Sequence, residues 1–303
     1  MGKTARFFPI LLSVACGTAA AFAQQPAPAA NPLEPLRTKA ALVDEDRNVL
    51  RSWLTQRVTA LASDDGSAAA GEMRTEYAGT PAFKEAFAAI SIELIRGRLK
   101  AAGPPAAARM LAVIAAMGDA PADAASTLYL EALQDERPAV RAAAAAGLRN
   151  LRQRLVLAGA GAVTSAVHAL RDAGKKETSA STLRLIYHAL NYPDAAPNPP
   201  ELKAISTAVL DLLEARAAQH DSGDVNASGA DVVGLRVAAK LRPQLSDDEQ
   251  KRYTGVLARV LRAGVLRYTT GEPRLGDVQD ATASPLVLDE RDRTEIRMEE
   301  AEK

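Results

Sequence analysis

Apolar residues recur at every third or fourth position along most of this chain, the spacing of an amphipathic helix. Leu50, Trp53, Leu54, Val58 and Leu61 form the first stripe, and Phe83, Phe87, Ile90 and Leu94 the second. Further stripes run through Met110, Leu111, Ile114 and Met117, through Ala124, Leu128 and Leu133, and through Val140, Ala144, Leu148 and Leu151. The period continues at Val163, Val167 and Leu170, at Leu183, Ile186, Tyr187 and Leu190, and at Leu202, Ile205, Val209 and Leu212. Val233, Val237 and Leu241, then Tyr253, Leu257, Val260 and Leu261, complete the series.

The breaks between stripes carry helix punctuation. Thr80-Pro81 sets a capping hydroxyl before a first-turn proline, whose missing N–H costs nothing there. Gly103-Pro104-Pro105, Gly118, Pro121 and Pro138 separate the next helices, and Ser246-x-x-Glu249 is a capping box. Residues 63–71 read as a Ser/Asp/Gly/Ala interruption, 191–200 as a Pro-rich connector and 220–229 as a polar loop. The pattern predicts an all-α fold of about ten helices, arranged as antiparallel pairs stacked side by side, with stripe alanines permitting close approach.

Composition narrows the function classes. Alanine supplies about one residue in five and aromatics only 4%, which argues against an all-β fold. One Cys excludes a disulfide framework and a Cys-rich zinc site, and three separated histidines, His168, His188 and His220, leave little for a metal centre. Equal numbers of basic and acidic side chains, 37 of each, argue against a dedicated nucleic-acid binder.

Residues 1–23 read as a secretory signal: Lys3 and Arg6 precede an uncharged apolar run, and Ala21-Phe22-Ala23 fits the small-x-small cleavage rule. Cleavage between Ala23 and Gln24 removes the only cysteine and leaves no transmembrane segment. In the alternative reading, Ser13-Val14-Ala15-Cys16 resembles a lipobox and Cys16 is lipidated, although Ser13 departs from that pattern. Residues 24–40 read as a Pro/Ala-rich linker, 41–271 as the helical domain and 272–303 as a charged tail.

One stretch is more specific. The segment Leu-Tyr-Leu-Glu-Ala-Leu-Gln-Asp-Glu-Arg-Pro-Ala-Val-Arg, beginning at Leu128, places Asp135 in a turn, Pro138 at a helix start and Val140-Arg141 after it. With Ala144, Leu148 and Leu151 this resembles a HEAT repeat over about residues 124–153. The resemblance implies an α-solenoid, or superhelix, of HEAT-like helix pairs. It also implies a structural role for Asp135 and Arg141 in a polar ladder between neighbouring repeats. Residues 81–118, 159–191 and 200–242 have the length of further pairs and lack the full signature.

No chemistry-bearing motif competes with that reading. A Gly-x-Ser-x-Gly elbow is absent, and Gly159-x-Gly161-x-x-Thr164 lacks a third glycine and a preceding strand. The adjacent pairs Asp64-Asp65 and Asp247-Asp248 do not converge as carboxylate dyads. Charge, however, is sided. Arg109, Arg141, Arg149, Arg152, Arg154, Arg184, Arg236, Lys240 and Arg242 fall on the second helices of the pairs, against the single acid Asp231. In HEAT-like stacks these helices line the concave face.

The expected function is therefore an exported scaffold or adaptor, periplasmic or secreted, without catalysis and without a cofactor or metal. Its partners are proteins, acidic ones included, or an anionic envelope polymer, and not nucleic acid. The candidate partner-binding residues are Arg109, Arg149, Arg152, Arg184, Arg236 and Lys240. The alternatives are a peptidoglycan-associated enzyme, or enzyme subunit, of the cell envelope and a lipoprotein assembly factor.

Overall fold

The computed structural model describes residues 31–270 apart from 64–65, 119, 196 and 224–227. Every regular element among the described residues is helical. In order the α-helices are α1 (Glu34–Arg37), α2 (Asp44–Ala60), α3 (Gly66–Glu76), α4 (Pro81–Leu99), α5 (Pro104–Ala116) and α6 (Ala122–Ala132). They continue with α7 (Pro138–Ala158), α8 (Ala160–Lys176), α9 (Ala180–Leu190), α10 (Pro199–Asp221), α11 (Ser228–Leu241) and α12 (Asp247–Thr270).

The starts are built from local chemistry. Thr80 accepts from the Phe83 N–H at 3.3 Å, and its hydroxyl donates to the Lys39 carbonyl at 2.6 Å, so one side chain caps α4 and fixes the chain after α1. Asn198 and Glu201 form a reciprocal capping box on α10, with bonds of 3.1 and 2.9 Å. At α12, Ser246 N–H donates to Glu249 at 3.0 Å. Prolines occupy the first turn of α4, α5, α7 and α10. Gly159 alone joins α7 to α8, at φ +104°, a left-handed conformation that a side chain would strain.

Two segments differ from the sequence expectation. Residues 63–71 were expected to interrupt the helices, yet α3 begins at Gly66 and buries Ala69, Ala70 and Met73 against its neighbours. Small residues gave it too weak an apolar stripe to show in the pattern. Residues 24–40 were expected to tether, yet Leu33 is fully buried with Leu36 beside it. Arg37 there pairs with Glu76 of α3. The signal, Cys16, Ala23, Gln24 and the tail 272–303 lie outside the described residues.

From α2 onward each helix packs on the helix two further along, and α2 with α3, α4 with α5, α6 with α7, α8 with α9 and α10 with α11 pack as neighbours in sequence. Two rows result: α2, α4, α6, α8, α10 and α12 form the first, and α3, α5, α7, α9 and α11 the second. Within a row the helices run the same way. In the first row Arg51 meets Glu93 and Arg98 meets Thr59. Further along it, Glu249, Arg252 and Arg259 meet Ser206, Asp211 with Glu214, and Asp221 in ascending order. In the second row Thr182 reaches the Pro138 carbonyl while Arg152 reaches that of His188.

The first row is further linked by Arg96–Glu131 at 3.1 Å and Arg171–Asp211 at 3.6 Å. These pairs, the first exposed and the second half-buried, contribute only about 0–1 kcal/mol each, so they fix register more than stability. Stability lies in burial. α9 is apolar on almost every side and leaves only a strip of Ser181, Arg184 and His188 half-exposed. Glycines set the closest approaches. A Cβ on Gly147 would lie 2.3 Å from the Tyr129 ring, and one on Gly234 would lie 2.4 Å from Tyr187.

Gly147→Ala and Gly234→Ala should each destabilise by about 1–3 kcal/mol in urea denaturation, because overpacking outweighs the helix-propensity gain. Gly97→Ala, on an open face of α4 with nothing near its Cβ, should instead raise stability by up to about 1 kcal/mol; equal effects at the three sites would contradict this packing.

Glu249 gives a pH signature. Burial pushes its carboxyl up, but Lys203, Ser246 and Ser206 together outweigh burial and hold it at about 2. A depressed carboxyl stabilises the fold fully above its unfolded value near 4.3 and loses that contribution as pH falls towards 2. The stability gap between wild type and Glu249→Gln should therefore shrink by on the order of 2 kcal/mol between about pH 5 and about pH 2. A gap constant across that range would remove this role for the carboxylate.

Candidate functional site

The described polar groups concentrate at the turns that enter the second-row helices. Arg137 precedes α7, and its guanidinium is held by Asp135 at 2.7 Å through two nitrogens. From there it donates to the carbonyls of Leu99, at 3.0 Å, and Ala102, at the end of α4. The Arg137 guanidinium beside Asp135 keeps that carboxyl below its ordinary range. Asp135 also accepts from the Arg137 backbone N–H at 2.9 Å, just ahead of the helix.

Arg141 carries the chain of contacts onward. It donates to the carbonyls of Asp135 and Glu136 at 2.9 and 2.8 Å and makes a bidentate pair with Glu177 at 2.7 and 2.8 Å. Glu177 is buried between α8 and α9, where it accepts the backbone N–H groups of Thr178 and Ser179 at 3.0 and 2.9 Å. Asp135 and Arg141 thus meet through a carbonyl, and the carboxylate facing Arg141 comes from the following turn. Arg216 continues the sequence by donating to the Glu177 carbonyl at 3.4 Å.

Arg216 belongs to a sealed cluster between α9, α10 and α11. Tyr187 donates to Asp231 at 2.6 Å, His220 Nε2 lies 2.7 Å from the other carboxylate oxygen, and Arg216 Nε stands 3.4 Å from both. Asp231 and Tyr187 are 0% exposed, Arg216 2% and His220 7%. Burial, reinforced by Asp231, raises the Tyr187 hydroxyl well above its ordinary value and keeps it protonated. A carboxylate with three donors and no exposure is a packing element, since substrate has no route to it. Its signal in the sequence was a charged residue on an apolar stripe: Asp231 with Leu235 and Ala238, and Arg216 with Val209 and His220.

The six candidate partner-binding residues separate by environment. Arg109 donates to the carbonyls of Leu61 and Ser63 at 2.8 and 3.2 Å, so its guanidinium closes the end of α2. Arg152 donates to the carbonyls of His188 and Asn191 at the end of α9. Arg149 and Arg184 are half-buried on α7 and α9, whereas Arg236 and Lys240 are exposed one turn apart on α11. Because α7, α9 and α11 pack side by side, those four define one strip across the second row.

His168 is exposed on α8, and His188 is half-buried on α9, where its carbonyl accepts from Arg152. An open depression on α12, lined by Asp247, Gln250, Lys251, Thr254, Gly255 and Ala258, gathers no convergent titratable set. Among the described residues no group of three or more His, Cys, Asp or Glu is placed to hold a metal, and no helix is long and apolar enough to cross a membrane.

Removing Asp231 or Arg216 from the sealed cluster leaves the other buried without that counter-charge. Asp231→Ala and Arg216→Ala should each cost about 3–5 kcal/mol in chemical denaturation; a loss below about 1 kcal/mol would show that the cluster is not a packing element. A scan against protein-family models and searches of curated proteins and of solved structures found no match for this chain.

Proposed function

We propose that this chain is an exported HEAT-like α-solenoid, periplasmic or secreted, that works as a non-catalytic scaffold for acidic protein partners. The two-row order of contacts, parallel within each row, is the observation that carries the reading, because stacked helix pairs pack in this way. The Arg137 and Arg141 contacts from turn to turn support it, as such a stack needs neighbours tied at equivalent positions.

The binding surface is the strip of Arg149, Arg184, Arg236 and Lys240. Over α5, α7, α9 and α11 the bases are Arg109, Arg141, Arg149, Arg152, Arg154, Arg184, Arg236 and Lys240, and the only acid is the buried Asp231. Arg109, Arg152 and Arg154 donate from this row to backbone carbonyls. The planar guanidinium fork suits carboxylates.

Arg236→Glu with Lys240→Glu changes two exposed positions and should leave the thermal midpoint within about 3 °C of wild type. Capture of partners by crosslinking in the native envelope should fall at least about tenfold. Undiminished capture by the folded variant would overturn the assigned surface.

A further inference from the structure

We propose that Arg184 is the specificity-determining residue of the second-row surface, its guanidinium taking a carboxylate of the acidic partner. This rests on the reading of that surface as the binding site and names the group it recognises. Arg184 is half-buried on α9, and its Nε is withdrawn from solvent with no hydrogen-bond partner. A sealed donor without an acceptor costs stability, so its retention calls for a physical reason.

Other arginines of the row are bound within the chain. Arg109, Arg152 and Arg154 donate to carbonyls, and Arg141 makes its bidentate pair with Glu177. Those guanidiniums give up bonds to take an external ligand, whereas Arg184 has no such bond to lose among the described residues. No acid of the row is there to satisfy it. α9 packs between α7 and α11. α7 and α9 carry no acid, and Asp231 of α11 is 0% exposed and held by Tyr187 and His220. Glu177, ahead of α9, is taken by Arg141. An incoming carboxylate therefore finds a cation with its hydrogen-bonding capacity unspent. It accepts from two nitrogens of the planar fork at once, a geometry that an ammonium does not reproduce.

The test uses the full chain, isotope-labelled, with a hexaglutamate peptide as probe. The Arg184 Nε–H gives a proton–nitrogen NMR signal identified by its disappearance in Arg184→Lys. Hexaglutamate should move that signal saturably, and hexaglutamine should not. Arg184→Met should weaken hexaglutamate binding at least about tenfold in titration calorimetry. Arg184→Lys, which keeps the charge and loses the fork, should recover only part of the affinity. The thermal midpoint of Arg184→Met should be no lower than that of wild type, because the variant removes a sealed donor and keeps a long apolar stem.

A signal indifferent to hexaglutamate, or one moved by inorganic phosphate and not by hexaglutamate, overturns the proposal. So does undiminished affinity in Arg184→Met. Should that variant fail to fold, the wild-type signal and the Arg184→Lys affinity decide. Partner capture separates this residue from the surface as a whole. Capture lost in Arg236→Glu with Lys240→Glu but kept in Arg184→Met leaves the surface standing and removes Arg184 from it. Hexaglutamate held through Arg184, with capture unmoved by either variant, leaves the carboxylate site standing and the partner surface wrong.

Discussion

Helix ends govern this molecule. Each helix leaves carbonyls without intrahelical partners, and a stack of short helices brings many such ends together. Arg137 takes up those of α4, Arg109 those at the end of α2, and Arg152 those of α9. The fork of a guanidinium spans two acceptors at once and carries the sign that the negative helix C-terminus favours. One residue type therefore ties neighbouring helices at their ends while the apolar stripes hold their middles.

The charge pattern follows from this. An arginine bound to carbonyls needs no acid on its own helix, and α5, α7 and α9 carry arginines and no acid. The first row is balanced because its arginines cross to carboxylates on the next helix, as Arg51 does to Glu93 and Arg252 to Asp211 and Glu214. Part of the sidedness in the sequence is thus architecture, fulfilled by Arg109 and Arg152. The part that remains on the strip of Arg149, Arg184, Arg236 and Lys240 is the surface proposed for recognition.

Most helices were legible because leucine and valine stripes, first-turn prolines and caps such as Thr80 are local signals. α3 was not, because its buried face is made of Ala69, Ala70 and Met73 within a run of small and polar residues. Leu33 and Leu36 were hidden by the prolines around them, which deny a long helix without preventing a short packed one. Asp135 and Arg141 drew notice through their spacing, but Glu177, 36 residues beyond Arg141, lies where only the fold can join it. Tyr187, Arg216 and Asp231 are likewise separated in sequence and meet only when three helices pack.

The turn-to-turn ladder is tested most directly by a double-mutant cycle on Arg141→Met and Glu177→Gln, read by urea denaturation. A pair that joins two turns, with both groups largely withdrawn from water, should show a coupling energy of about 1–3 kcal/mol. Additivity within about 0.5 kcal/mol would contradict the ladder and, with it, the principle by which neighbouring helices are held in register.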